Sequence, residues 1–276
     1  MKQRHKTILF LFTLVAAAGM LHAQGMKMGE VIIISNSGIQ KGVKPEVFQN
    51  WVNDEVASSW SRKYPGTSVH LFHADRGDSK GKFLLVTNVT RVAYREVLPP
   101  GSPFSEDVFA EANVNLKSSA DFLRNPDAYT EYSLIGAEHF KSLPVAGILG
   151  IHYIKVKPER AAEFEKLVVD KLHPSVGQLF PDMQLLYYKA VAGDNKGEYI
   201  TIFTIESTAA RDKYWPSGAP ETETLKKGFV PLKKLALELS DYLVEGSYLK
   251  PESGGAAAYW ESIKWTDFVY APGGSR

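Results

Sequence analysis

The sequence predicts an α+β protein made of two βαββαβ units whose sheets cover one another. Three observations carry this prediction. First, "GDSKGKFLLVTNV" at 77–89 returns as "GDNKGEYITIFTI" at 193–205, 116 residues later. Second, further paired markers run in the same order: "VKPE" at 43–46 and 156–159, "KYPG" at 63–66 and "LFPD" at 179–182, "PGSP" at 100–103 and "SGAP" at 217–220. Third, strands such as "FLLV" and "YITIF" are apolar on both faces, so a sheet backed by helices on one side needs its other face covered too.

The elements follow in order. In the second copy "ILGIHYIKV" (148–156) has the β-branched and aromatic composition of a strand. Pro158 sits where a helix can begin, since its missing N–H would be unpaired there anyway. Phe164, Leu167, Val168 and Leu172 then recur at helical spacing, and Pro174 interrupts or closes that helix. "MQLLYYKAV" and "EYITIFTI", joined by "AGDNKG", read as a β-hairpin. A second helix is expected over 225–243, with Leu232, Leu235 and Leu239 on one face, and "VEGSYL" (244–249) as the closing strand. The first copy repeats the order through "EVIIIS", "PEVFQNWVNDEVASSW", "SVHLFHA", "KFLLVTNV", an irregular helical region at 105–132, and "SLIGA".

This is the order of the ferredoxin-like plan, a four-stranded antiparallel sheet with two helices on one face. Two such sheets in one chain, each covering the other, make a closed or nearly closed β-barrel. On these residues, from 30 to 249, the chain resembles the dimeric α/β-barrel superfamily. That group includes antibiotic-biosynthesis-type monooxygenases, stress-responsive barrel proteins and some haem-degrading enzymes. The resemblance implies a dimeric-α/β-barrel-like unit fused within one chain, so that no oligomer is required to close it. It also implies an apolar cavity for an aromatic or polyketide-like compound, with His, Asn, Tyr or Trp guiding the chemistry.

The expected organisation is a signal peptide at 1–23, a linker at 24–29, repeats at 30–144 and 145–250, and an aromatic C-terminal extension at 251–276. The leader reads "MKQRHK", then the 14 apolar residues "TILFLFTLVAAAGM", then "LHA" before Gln24. A basic stretch, a short apolar core and a small residue at the exit mark a secretory signal cut after Ala23. The apolar run is shorter than the roughly 20 residues a membrane-spanning helix needs. Export to a periplasm or medium follows, with no stable membrane insertion after cleavage. The tail carries Tyr259, Trp260, Ile263, Trp265, Phe268 and Tyr270, and is expected to pack as an extra strand over a groove or barrel end.

With 44% hydrophobic residues and a net charge of +1, the chain has a sizeable core and no field that recruits nucleic acid. It has no cysteine, hence no disulfide and no lipid attachment through one. No HExxH occurs, and His70 and His73 fall on opposite faces of a strand, so no metal is expected. No GxSxG occurs, and the serines are read as lying on loops with no nearby base. "GDSKG" joins two strands instead of opening a helix, which excludes a phosphate loop.

One constellation remains. A hairpin symmetric about Ser79 sets His70 opposite Asn88, on the face bearing Phe72; the second copy has Leu186, Thr204 and Tyr188 there. A catalytic His70–Asn88 pair kept in one half is the expectation, with Phe72, His152, Tyr188, Thr204 and Trp215 as ligand-binding residues. His152 serves if it points into the barrel, and Trp215 if its loop lines the barrel mouth. The residues name no cofactor. The expected function is an exported protein binding a small apolar or aromatic molecule in its barrel cavity. The alternatives are a cofactor-independent monooxygenase-like or isomerase-like enzyme with a His/Asn/Tyr pocket, and a haem-binding protein.

Overall fold

The computed structural model describes residues 25–112, 117–180, 182–216, 222–244 and 265–271. Its strands are β1 (Met26–Lys27), β2 (Val31–Ser35), β3 (Thr67–Gly77), β4 (Phe83–Val89), β5 (Tyr129–Leu134), β6 (Val145–Ala146), β7 (Ile148–Ile154), β8 (Met183–Gly193), β9 (Tyr199–Ile205) and β10 (Trp265–Tyr270). Eight of them close a barrel in the order β10-β3-β4-β2-β5-β8-β9-β7, while β1 and β6 pair separately. Every neighbouring pair in the barrel is antiparallel. The fold is therefore mixed α+β, an eight-stranded barrel with helices outside, consistent with a dimeric α/β-barrel plan. Within it β3-β4-β2-β5 and β8-β9-β7-β10 follow the same order by chain position.

Period-two alternation sorts each strand between two cores. Ile32, Phe72, Val86, Tyr132, Leu149, Leu186, Tyr188 and Ile200 point inward and form one buried apolar cluster. An eight-stranded barrel is just wide enough for such side chains to meet across it. The outward residues meet the helices in two further clusters. Helix α1 runs Pro45–Asn50, widens into a π-helical stretch at Trp51–Val56 and ends as Ala57–Lys63. It covers β2–β5 with Phe48, Trp51, Val52, Val56 and Trp60. On the second half, α3 runs Ala161–Leu167, π-helical Val168–Leu172 and His173–Leu179, and packs Phe164, Leu167, Val168, Leu172 and Val176. Pro174 does not close this helix, because the π turn before it relaxes the ladder that its missing N–H would otherwise break. The shorter helices are α2 (Glu106–Ala112), α4 (Thr208–Asp212), α5 (Glu223–Phe229) and α6 (Leu232–Ser240). The expected helix over 225–243 is thus two, broken at Pro231, and in the region 105–132 the helical segments among the described residues are α2 and a short turn at Ser119–Asp121, before β5 begins at Tyr129.

The repeated turns have a structural task. In the first, Gly77 and Gly81 have φ of 93° and 83°; in the second, Gly193 and Gly197 have 84° and 91°. Each ladder closes early, with Ala74 N–H donating to Lys82 O and Ala190 N–H to Glu198 O. The freed tip of the first strand then pairs with the other half: Arg76 faces Asp267 on β10, and Gly193 faces Thr130 on β5. A Cβ on Gly193 would lie 2.2 Å from Tyr129 O, so glycine is needed there for close approach.

Early closure also corrects the expected register. His70 lies opposite Val86, and Asn88 lies opposite Ser68, a shift of two residues that keeps both on the inner face. The aromatic tail is corrected as well. Instead of an addition over a groove, β10 is a full barrel strand between β7 and β3, with Phe268 in the inner core. The expected closing strand at 244–249 lies, beyond Val244, outside the described residues.

Candidate functional site

The layer between α1 and the first-half sheet is walled by rings. Trp51 stacks on Phe122 with centroids 4.2 Å apart and planes at 9°. Phe48 and Phe109 flank it at 5.8 and 5.5 Å. Phe104 links Phe109 to Trp60, each at 6.1 Å, and Trp60 lies 4.8 Å from Tyr64. The floor is the outer face of the sheet, with Val31, Ile33, Val69, Leu71, Leu85 and Val89. The π stretch matters here, since a plain 3.6 period does not keep Trp51, Val56 and Trp60 in register on one face.

This apolar layer also holds six buried polar atoms that lack a hydrogen-bond partner among the described residues. They are Trp51 Nε1, Trp60 Nε1, Tyr64 Oη, Thr87 Oγ1, Ser35 Oγ and Ser119 Oγ. Thr87 stands mid-sheet between Val69 and Ile33 and is fully buried. Native interiors pair nearly all such groups, and each orphan costs about 1–3 kcal/mol. Two indole N–H donors and four hydroxyls facing one hydrocarbon layer can satisfy a ligand that carries acceptor oxygens. No buried charge calls for an ionic one; the nearest pair, Arg95 Nε with Glu131 Oε1 at 2.8 Å, is already closed on itself.

The matching layer of the second half is different. Register equates Thr87 with Phe203, since each faces the corresponding residues of its two neighbouring strands. The helix ends equate Trp60 with Val176 and Tyr64 with Phe180, because each pair makes the same terminal backbone bond. Counted from Pro45 and Pro158, Trp51 corresponds to Phe164. Polar groups in the second half are mostly paired there: Tyr199 Oη and Lys189 Nζ both donate to Glu165 Oε1, at 2.7 and 2.8 Å. His173 Nδ1 is the orphan on that side among the described residues.

The residues expected from sequence fall in three places. Phe72 and Tyr188 are packed in the barrel interior, and Tyr188 Oη donates to Gly29 O at 2.8 Å. Thr204 is also inward, its hydroxyl donating to Gln184 O at 3.3 Å. His70 and Asn88 share the inner face at the barrel end where β3 begins and β4 stops. There His70 Nε2 lies 2.8 Å from Ser68 Oγ, while His70 Nδ1 and Asn88 Oδ1 have no partner among the described residues. Burial lowers the His70 pKa to about 4, so the imidazole is neutral at physiological pH. The base that the sequence reading did not find for any serine is thus two residues from Ser68, where strand alternation puts it on the same face.

Two expectations are corrected. His152 points outward, into the second helix layer, with its ring 5.5 Å from Phe203, and burial lowers its pKa to about 3. Trp215 packs against the second-half core outside the barrel, its carbonyl accepting from Arg76 at 2.7 Å. In sequence Trp51 and Trp60 are two aromatic residues of a helix that packs on a sheet, and their spacing marks no site. Their unpaired indole nitrogens become visible only in three dimensions.

Among the described residues no three His, Asp or Glu side chains converge as a metal set. No family profile matches the chain. No curated protein matches it either. Solved structures similar to it include an anthrone oxidase-like protein, at 11% identity and a TM-score of 0.46 over 87% of this chain and 90% of that one. A heme-binding protein from Thermus thermophilus is similar at 11% and 0.42, over 91% and 94%. Chlorite dismutase from Candidatus Nitrospira defluvii is similar at 10% and 0.43, over 88% and 92%. Likeness at this level is one of overall shape.

Proposed function

We propose that this chain is an exported small-molecule-binding protein, arisen by tandem duplication, whose ligand lies between α1 and the first-half sheet. The observation that carries this reading is the set of six orphaned polar atoms within an aromatic layer. The ligand class is flat, largely apolar and uncharged, with at least two acceptor oxygens for the Trp51 and Trp60 N–H groups. Flatness follows from the ring walls, and neutrality from the absence of an unpaired buried charge among the described lining residues. The α1 layer is preferred to the barrel interior because it holds six orphaned polar atoms among the described residues against three on the inner face, at His70, Asn88 and Gln184.

Duplication is supported by the shared strand order and by a pair of equivalent ion pairs. Arg95 meets Glu131 on β5, and Arg211, 116 residues later, meets Asp267 on β10. Export is supported by the leader sequence, which lies outside the described residues; N-terminal sequencing of protein from the producing cell tests it, and Met1 at the terminus would end the idea. An oxygenase-like or isomerase-like activity would use the same layer, with the Tyr64 hydroxyl as its proton-carrying group. Haem does not fit that layer: no buried histidine faces it among the described residues, and His73 at its edge is exposed and packs on Phe83.

The test is a fluorescence titration of the mature protein with a neutral quinone such as 9,10-anthraquinone. Saturable quenching of tryptophan emission is expected, abolished in a Thr87→Phe variant and retained in Phe203→Leu. Quenching that is linear to the solubility limit, or equal in Thr87→Phe, would overturn the reading.

A further inference from the structure

We propose that the barrel end where β3 begins carries an acyl-accepting serine, with Ser68 as nucleophile, His70 as its base and the Asn88 amide as oxyanion donor. This site is separate from the layer under α1, because it lies on the inner face of β3 and β4. Ser68 and His70 are neighbours on one face of a single strand, and their side chains are joined at 2.8 Å. Both are half-buried, so a small substrate reaches them from the barrel end. Asn88 stands directly across the ladder from Ser68 and is 4% exposed, so its amide is held beside the serine.

The neighbourhood has been kept tight around that amide. A Cβ on Gly29 would lie 2.2 Å from the Val89 carbonyl oxygen and 2.4 Å from Asn88 Oδ1, so glycine at 29 lets the backbone of β4 and the Asn88 amide approach it closely. The Gly29 carbonyl is held in turn by the Tyr188 hydroxyl. Tyr270 closes the other side, its ring 5.8 Å from that of His70. With no charged side chain in this set, the substrate class is a small uncharged ester or thioester.

The step balances without a further reactant. Ser68 Oγ adds to the acyl carbonyl as its proton passes to His70 Nε2, and the carbonyl oxygen, now an oxyanion, accepts from Asn88 Nδ2. Collapse breaks the bond to the leaving oxygen or sulfur, which takes the proton from His70. Water, deprotonated by the same imidazole, then hydrolyses the acyl-serine and restores the free hydroxyl.

A biotinylated fluorophosphonate on the folded mature protein tests this. One phosphonyl adduct is expected, located on Ser68 by peptide mass, absent in Ser68→Ala and slowed at least about 100-fold in His70→Gln. Asn88→Ala is expected to lower p-nitrophenyl acetate hydrolysis about 100-fold, the usual effect of removing one oxyanion donor. Wild-type protein that gains no Ser68 adduct overturns the proposal, and that result needs no variant to fold. Equal labelling in a folded His70→Gln variant also overturns it. Neither outcome bears on quinone binding under α1, so the two readings fail independently.

Discussion

The two helix–sheet layers share a plan and differ in their chemistry. Both pack a π-widened helix across the outer face of a four-stranded antiparallel sheet. On the second side Phe164, Val176, Phe180 and Phe203 fill the space with hydrocarbon. On the first side Trp51, Trp60, Tyr64 and Thr87 occupy the same places and leave four polar atoms without a partner among the described residues. Hydrocarbon at these positions is what stability alone would select, since each orphan costs free energy. The first layer therefore departs from the hydrocarbon solution that the second displays, and the ligand proposed above would be the physical reason to keep such a departure.

The largest way to separate the layers is truncation. Phe164→Ala is expected to cost about 3–5 kcal/mol in urea unfolding and to leave quinone quenching intact. Trp51→Ala should cost a similar amount and abolish the quenching; if it binds as before, the functional asymmetry is broken. Next come the equivalent ion pairs. Arg211 is nearly buried and contacts Asp75, Asp212 and Asp267 at 2.9, 3.2 and 3.3 Å, so Arg211→Met strands the buried Asp267. A loss of about 3–5 kcal/mol is expected, with a comparable loss for Arg95→Met, which strands the buried Glu131.

Acid should weaken the second layer more than the first. His152 and His173 face it, and burial lowers their pKa values to about 3 and about 4, against an ordinary 6.5. Above about pH 6.5 neither state of the chain protonates them. As pH falls from 6.5 the unfolded chain takes up protons that the folded one refuses, so stability declines, by about 1.4 kcal/mol for each unit of depression per histidine. Midpoints from pH 7 to pH 4 should fall steeply, and less so in His152→Leu; an unchanged slope would remove His152 as the cause. The smallest effect has the opposite sign. Thr87→Val deletes an orphan hydroxyl at nearly constant volume and should raise stability by up to about 1 kcal/mol while weakening the quinone. A destabilised variant would mean that the hydroxyl is paired, and the contrast with Phe203 would lose its force.

Much of the architecture was legible because it rests on local rules. Turn glycines at 77, 81, 193 and 197 between short apolar runs mark each hairpin without tertiary knowledge. The face shared by His70 and Asn88 was legible too, since a register error of two preserves sidedness. Their partners were not. Where a ladder closes depends on the other half drawing the tip of β3 onto β10 and that of β8 onto β5, and no window of sequence contains both strands. His152 misled for a related reason: on a strand buried on both faces, composition does not say which face is the barrel.

By itself, then, the sequence showed two matching hairpin stretches, the order of most of the elements and the lack of cysteine. These depend on residue type and spacing along the chain. The tertiary structure alone decided that β10 closes the barrel and that the indole nitrogens of Trp51 and Trp60 on α1 lack a partner among the described residues. Those facts depend on which atoms are neighbours across long stretches of chain, and hydrogen-bond satisfaction and packing are properties of neighbours in space.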